Sequence, residues 1–418
     1  MGVLAGLAVL LTACSSSSSS SHASTSSQAA NKSPIKVGYI LPLTGNFTNN
    51  GKEEQAGFEL GLQTFGTSVD GHPIDVTYLN GQGSPTVSLS DATELISQDH
   101  VQVVEGPLLS SSIAAVSPYV MSQGVVEDDL NLASVTLMND YKKYGLGFTS
   151  GWDSYTPPEA GARWAYDDMH WRHVTTIGSA FSFGWQVVGG FDAEFTALGG
   201  TIDKSIWVPL NATDLSSYIS QIPSNTQAVF VELSGAQALN FVDEYQSFGL
   251  KGKIPLLGIT QLTDQSVLPS ENPTAALGTY TDAQYCDGIS SSANDAFVQA
   301  YHAKYGTYPG YYSDSAYVQA EILVDALKAL HGVIPSEKAL AKAMLAVHIS
   351  APRGPVTISS VTDSPIQNSY ICKVEDVNGA LRNVPIKTYP AMQPWGFLSE
   401  STWLHDFTIE SSGPPPGT

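Results

Sequence analysis

From Ile35 onward, short apolar runs rich in β-branched residues alternate with segments of helical periodicity, and the alternation starts afresh after residue 150. Ile35–Leu41, Ile74–Leu79 and Val101–Gly106 read as strands. A helix carrying Ala56, Leu60 and Phe65 on one face separates the first two, and a second helix, Ser88–Gln98, precedes the third. In the second half, helix Arg163–His170 leads to strand Val174–Gly178, helix Gly184–Leu198 and strands Ile202–Val208 and Ala228–Glu232. Helix Ala236–Phe248 and strand Ile254–Ile259 follow. Strand followed by helix, repeated, is the pattern of a parallel sheet covered on both faces. Its restart predicts two such units. Helices at Ser315–Leu330 and Ser336–Ala346 and a strand at Gln367–Val374 come late and cross back. The fold class is therefore α/β, with two doubly wound parallel-sheet lobes joined by a hinge. The first lobe is assigned residues 35–150 plus about 281–365, and the second 151–280 plus about 366–405. Residues 406–418 read as a flexible tail.

At 418 residues the chain is long enough to bury two cores. It carries 39 acidic against 18 basic side chains, a formal charge of -21. Nucleic acid and anionic membrane surfaces repel such a chain. Of three cysteines, Cys14, Cys286 and Cys372, none is spaced for a zinc site, and three are too few for a disulfide scaffold. Cys286 and Cys372 are read as two separate buried thiols, with pairing left to whether the fold brings them together.

Residues 2–13 form an uncharged apolar run, too short to span a bilayer and of the length of a signal-peptide core. The run ends in Leu11-Thr12-Ala13-Cys14, which resembles the lipobox of bacterial lipoproteins, with residues 1–13 as signal peptide and Cys14 as the lipidated residue. No Lys or Arg precedes the run, which places the true start upstream of Met1. Ser15–Ser21 and the Ser/Ala/Thr/Gln tract behind it have no apolar face to bury, so residues 14–34 read as a lipidated cysteine and flexible tether.

Several segments in this order are similar to the branched-chain amino acid (leucine/isoleucine/valine) binding proteins of ABC importers, a type I periplasmic binding-protein fold. They are IKVGYILPLTGNFTNNGKEEQAGFELGL, VQVVEGPLLSSSIAAVSPYV, VFVELSGAQALNFVDEYQSFGLKGKIPLLG, and SAPRGPVTIS with IQNSYICKV, together running from Ile35 to Val374. The resemblance implies a ligand held between the lobes by loops at the carboxyl ends of strands, where amides and helix N-termini are free. It also implies partners: the importer's permease and ATPase subunits, and a membrane reached through the lipid anchor. A monomer is expected. A sensor presenting the same closed clamp to a membrane receptor is the alternative.

Ser110, Ser111 and Ser112 follow a strand and open a helix, where a hydroxyl caps the helix or leaves its amides for an anion. In the resembling family this serine position, here Ser110, holds the ligand carboxylate. Asn50 falls at the cleft mouth, and Asn131 and Ala133 where the family offers a carbonyl and a threonine. Glu127-Asp128-Asp129-Leu130-Asn131 departs from the apolar strand usual there. Asp153 matches an aspartate at the crossover between lobes, either pairing with a ligand ammonium or anchoring a hinge hydrogen bond. Phe183 stands for a tyrosine, Ser234 for a second aromatic, and Thr260 for a glutamate that pairs with the ligand's ammonium. A buried ammonium without a charged partner costs several kcal/mol. So another acid replaces that glutamate, or the ligand has no ammonium. Phe47, Trp152, Tyr155, Phe181, Phe183, Trp185 and Tyr285 enrich the cleft segments in rings, with Trp185 assigned to core. They suggest an apolar slot for an aromatic or branched solute bearing a carboxylate or amide.

Motifs of enzymes are missing: no HExxH, no Gly-x-Ser-x-Gly elbow, no phosphate loop ending in Gly-Lys-Ser/Thr. The nine histidines are scattered. The chain is read as a binding protein without catalytic residues, metal or cofactor.

Overall fold

The computed structural model describes residues 32–132 and 135–401. The signal segment, Cys14, most of the tether, Ala133 and the tail at 406–418 lie outside the described residues. Among those described, no helix is long and apolar enough to cross a membrane.

The first lobe opens with β1 (Ile35–Leu41), α1 (Thr48–Phe65), β2 (Ser68–Val69) and β3 (His72–Asn80). It continues through α2 (Pro85–Glu94), β4 (Val103–Glu105), α3 (Ser110–Ser122), β5 (Val126–Leu132), α4 (Val135–Tyr144) and β6 (Gly147–Asp153). The sheet order is β2-β3-β1-β4-β5-β6, with only β2 antiparallel to its neighbour. The second lobe contains α5 (Thr156–Asp167), β7 (His173–Ser179), α6 (Ser182–Ala197), β8 (Thr201–Val208) and α7 (Ser216–Ile219). After it come β9 (Ala228–Glu232), α8 (Ala236–Ser247), β10 (Leu256–Ile259), α9 (Pro273–Ala276) and β11 (Tyr280–Ala283). Strands β11-β10-β9-β7-β8 are parallel.

The chain then returns. Helices α10 (Ser292–Tyr305), α11 (Tyr311–Ala329) and α12 (Glu337–Leu345) contribute Phe297, Tyr317, Leu323 and Leu340 to the first lobe's core. Two short strands, β12 (His348–Ala351) and β13 (Gly354–Ile358), precede the long hairpin β14 (Pro365–Val377) and β15 (Ala380–Met392). β14 straddles both lobes. Its start pairs with β13, whose Val356 sits in the first core, and its middle pairs antiparallel with β11 of the second. The chain thus passes between lobes after β6, after β11 and within β14.

Antiparallel pairing of β11 with β14 sets Thr281 opposite Cys372 and carries the chain beyond β11 alongside it. Cys286 and Cys372 consequently form a disulfide with Cα atoms 6.5 Å apart, not the two separate thiols expected. The helix expected to start at Arg163 begins at Thr156 instead. Pro157 and Pro158 occupy its first turn, where a missing N–H costs nothing.

Candidate ligand cleft

The two lobes meet over a narrow cavity of about 30 Å³. Contacts across the gap hold them together. Asn49 donates to the Ser266 carbonyl at 3.2 Å and Asn50 to Ser266 Oγ at 3.1 Å. The Tyr311 amide of α11 donates to Asp264 Oδ2 at 2.7 Å, and Gln261 Nε2 to the Tyr311 hydroxyl at 3.0 Å. Ser110 Oγ and Ser182 Oγ, from opposite lobes, lie 2.8 Å apart.

That serine contact marks the junction of two helix N-termini, α3 of the first lobe and α6 of the second. The residues preceding them, Leu109 and Phe181, provide no side-chain cap. In α3 the Ser112 amide is taken by the Leu109 carbonyl at 2.8 Å, which leaves the amides ahead of it without side-chain caps, and each helix end favours negative charge. Both termini border the cavity through Leu109, Ser110 and Phe181. Among the described residues, no Lys or Arg lines it. An anion here is met by hydroxyls and amides alone.

The remaining walls are largely rings. Phe47, Trp152 and Tyr312 come from the first lobe and Phe181 and Phe183 from the second. Phe181 and Phe183 have centroids 6.1 Å apart, and Trp152 meets Tyr312 edge-on at 6.3 Å. Such walls suit a flat apolar body.

A second chamber of about 20 Å³ lies next to the first, with Trp152, Phe183 and Gln261 bordering both. Asp153, Ser154, Thr260, Asp282, Gln284 and Tyr311 supply its polar wall. Asp153 is occupied: Oδ1 accepts the Tyr155 and Thr156 amides at 3.0 and 2.7 Å, and Oδ2 accepts the Thr156 hydroxyl at 2.8 Å. Those bonds hold the start of α5. Burial pushes the Asp153 carboxyl up to about 6 against those lowering bonds.

Of the residues singled out in the sequence, the structure brings Ser110, Asn131 and Ser234 to the first chamber, Asp153 and Thr260 to the second, and Phe183 to both. Asn131 Oδ1 accepts from Ser154 Oγ at 2.9 Å. Asn50 is buried but spent on Ser266, and lines neither chamber. Half-buried Ser111 also faces elsewhere. Among the rings, Tyr285 is core, its hydroxyl bonded to Asn294 at 2.9 Å. Buried Tyr155 and half-buried Trp185 line neither chamber. Leu108, Gln261, Asp282, Gln284, Tyr311 and Tyr312 were not anticipated. Tyr311 and Tyr312 follow Gly310 at the head of α11, a helix start whose aim into the cleft depends on the return crossing.

Residues 34–380 match the family described as periplasmic binding protein. The chain is 29% identical over 376 residues to Leu/Ile/Val-binding protein homolog 6 of Brucella melitensis, across 88% of this chain and 94% of that one. A solute binding protein of an ABC transporter from Rhodopseudomonas palustris BisB5, in complex with 3,4-dihydroxy benzoic acid, superposes with TM-score 0.81. It is 28% identical and covers 86% of this chain and 98% of that one. A second Rhodopseudomonas palustris solute binding protein, in complex with benzoate, superposes with TM-score 0.79 at 25% identity, covering 86% and 97%.

Proposed function

We propose, since this chain belongs to the periplasmic binding protein family of ABC-transporter substrate-binding proteins, that its cleft captures a small aromatic carboxylate and delivers it to the permease and ATPase subunits of an importer. The observation carrying this reading is the junction of two uncapped helix N-termini at Ser110 and Ser182, beside a slot walled by Phe47, Trp152, Phe181, Phe183 and Tyr312. The carboxylate takes the amides and hydroxyls, and the ring fills the slot. Closure follows from differential binding, because both lobes touch the ligand only when shut. The position expected to hold an ammonium partner is Thr260, and Asp153 is already consumed, so an α-amino group finds no free acid at either place. The benzoate and dihydroxybenzoate complexes of the two relatives agree with this chemistry.

Titration calorimetry with benzoate, leucine and phenylalanine tests the reading. Benzoate is expected to bind most tightly, and Ser110→Ala to weaken it about tenfold or more, the loss of one hydrogen bond to a charged group. Tighter binding of leucine, or unchanged benzoate affinity in Ser110→Ala, removes the reading.

The protein works, in this proposal, as a single chain held at the membrane by lipidated Cys14. The Cys286–Cys372 disulfide fits an oxidising compartment outside the cytoplasm. Cys14→Ser is expected to move the protein from the membrane to the soluble fraction of its host. Retention in the membrane fraction counts against the anchor.

A further inference from the structure

The inner chamber contains a pair of polar groups that the aromatic-carboxylate reading leaves unused. Asp282 is fully buried, and neither carboxyl oxygen has a partner among the described residues. Gln284 is 2% exposed, and its Nε2 has no partner either. Asp282 lies in β11 and Gln284 just past its end. Both line the chamber. A buried polar atom without a partner forfeits about 1–3 kcal/mol, so two on one wall call for an explanation.

The fold makes room for this arrangement. A Cβ on Gly161 of α5 would stand 2.4 Å from Asp282 Oδ2, so glycine is what lets the carboxyl occupy that place. The neighbouring polar groups are already engaged: Asp153 by the start of α5, and Gln261 by Tyr311. Asp282 and Gln284 are left as one acceptor and one donor.

We propose that the inner chamber is a specificity site for a hydroxyl on the ligand, remote from its carboxylate, which donates to Asp282 and accepts from Gln284. The inference rests on the reading above and adds a second polar end to the ligand. A hydroxyl gives and receives a hydrogen bond at a single atom. An ammonium offers no acceptor for Gln284 Nε2. It would also require Asp282 to ionise, and burial alone holds that carboxyl well above the ordinary carboxylate range. A neutral acid beside an amide suits a neutral hydroxyl. Trp152, Phe183 and Gln261 border both chambers, so a ring in the outer slot points its far edge toward this pair.

Calorimetry on the full chain with benzoate, 3- and 4-hydroxybenzoate, and 3- and 4-methylbenzoate tests the site, the methyl group matching the hydroxyl in size. At least one hydroxybenzoate is expected to bind about tenfold or more tightly than its methyl counterpart. Asp282→Leu is expected to shrink that ratio to about twofold while benzoate itself stays within about threefold. If Asp282→Leu does not fold, Gln284→Leu gives the same readout. Equal affinities for hydroxyl and methyl compounds in the unaltered chain overturn the inference and leave the carboxylate reading standing. A preference that survives both variants does the same. If none of the five compounds binds, the carboxylate reading fails first and this inference falls with it.

Discussion

The two lobes share a topology and fill it with different chemistry. In the second lobe the centre of β9 is hydrocarbon: Ala228, Val229, Phe230 and Val231 are all fully buried, and Phe230 stacks on Phe191 at 4.0 Å. Buried acids occur there at strand ends, as Glu232 does, accepting the Ser179 amide at 2.7 Å. In the first lobe an inner strand, β5, is itself acidic. Glu127, Asp128 and Asp129 are each fully buried. Ser117 of α3 donates to Glu127 at 3.1 Å and to Asp129 at 2.8 Å, and Tyr141 of α4 donates to Asp129 at 2.6 Å. On the opposite face Asp128 accepts from the Ser150 amide and hydroxyl, and Glu105 lies beside it in register. Parallel-sheet geometry tolerates either filling, provided that the polar one is hydrogen-bonded or protonated. The sheet fixes where side chains point; it does not decide what they are.

If polar contacts stiffen the first lobe, the largest effect comes from removing one partner of its buried ion pair. Arg353, between β12 and β13, is fully buried. It donates to Asp314 of α11 at 2.7 Å and to the Ser150 carbonyl at 2.6 Å. Arg353→Met strands Asp314 in a site with no other cation, and is expected to lower stability by about 3–5 kcal/mol in urea unfolding. Adding Asp314→Leu is expected to restore most of the loss, because a matched apolar pair replaces an ion pair at little cost. A single variant as stable as the parent would mean that the pair is ornamental and that the two lobes differ less than their interiors suggest.

That contrast also marks the limit of what the chain reveals before it folds. Strand and helix alternation is a local signal, so β1, β8, α8 and the two-lobed class were legible from apolar periodicity. Strand β5 was not. Glu127–Asn131 departs from the apolar pattern of a buried strand, and its acids are satisfied only by Ser117, Tyr141 and Ser150 from other elements. Ser110 could be placed because a serine run opening a helix after a strand is itself a signature. Asn50 had no such local mark, and its bond to Ser266 depends on how the lobes meet. Asp282 and Gln284 were invisible for the same reason. Their chamber is made by α5, β10, β11 and α11 together, and no segment of sequence contains it.

The finest distinction between the lobes is their answer to pH. Burial, before any other cause, holds Glu105, Glu127 and Asp128 well above the ordinary carboxylate range and brings Asp129 to about 7. The unfolded chain would release these protons near pH 4, so between that pH and the folded values the native state binds more protons. Stability from this cluster is then complete below about pH 4 and is lost as pH rises through neutrality. The unaltered protein is expected to melt at least about 4 °C lower at pH 8 than at pH 5. In Glu127→Gln/Asp129→Asn two of the titrating groups are gone, and the slope between those pH values should be visibly shallower. Glu232 of the second lobe, raised by burial to about 8, contributes a loss of the same sign but as a single site, so Glu232→Gln should flatten the slope less. Equal slopes in all three proteins would show that the acids of β5 titrate alike folded and unfolded. The acidic strand would then be a matter of packing, with no proton held in it.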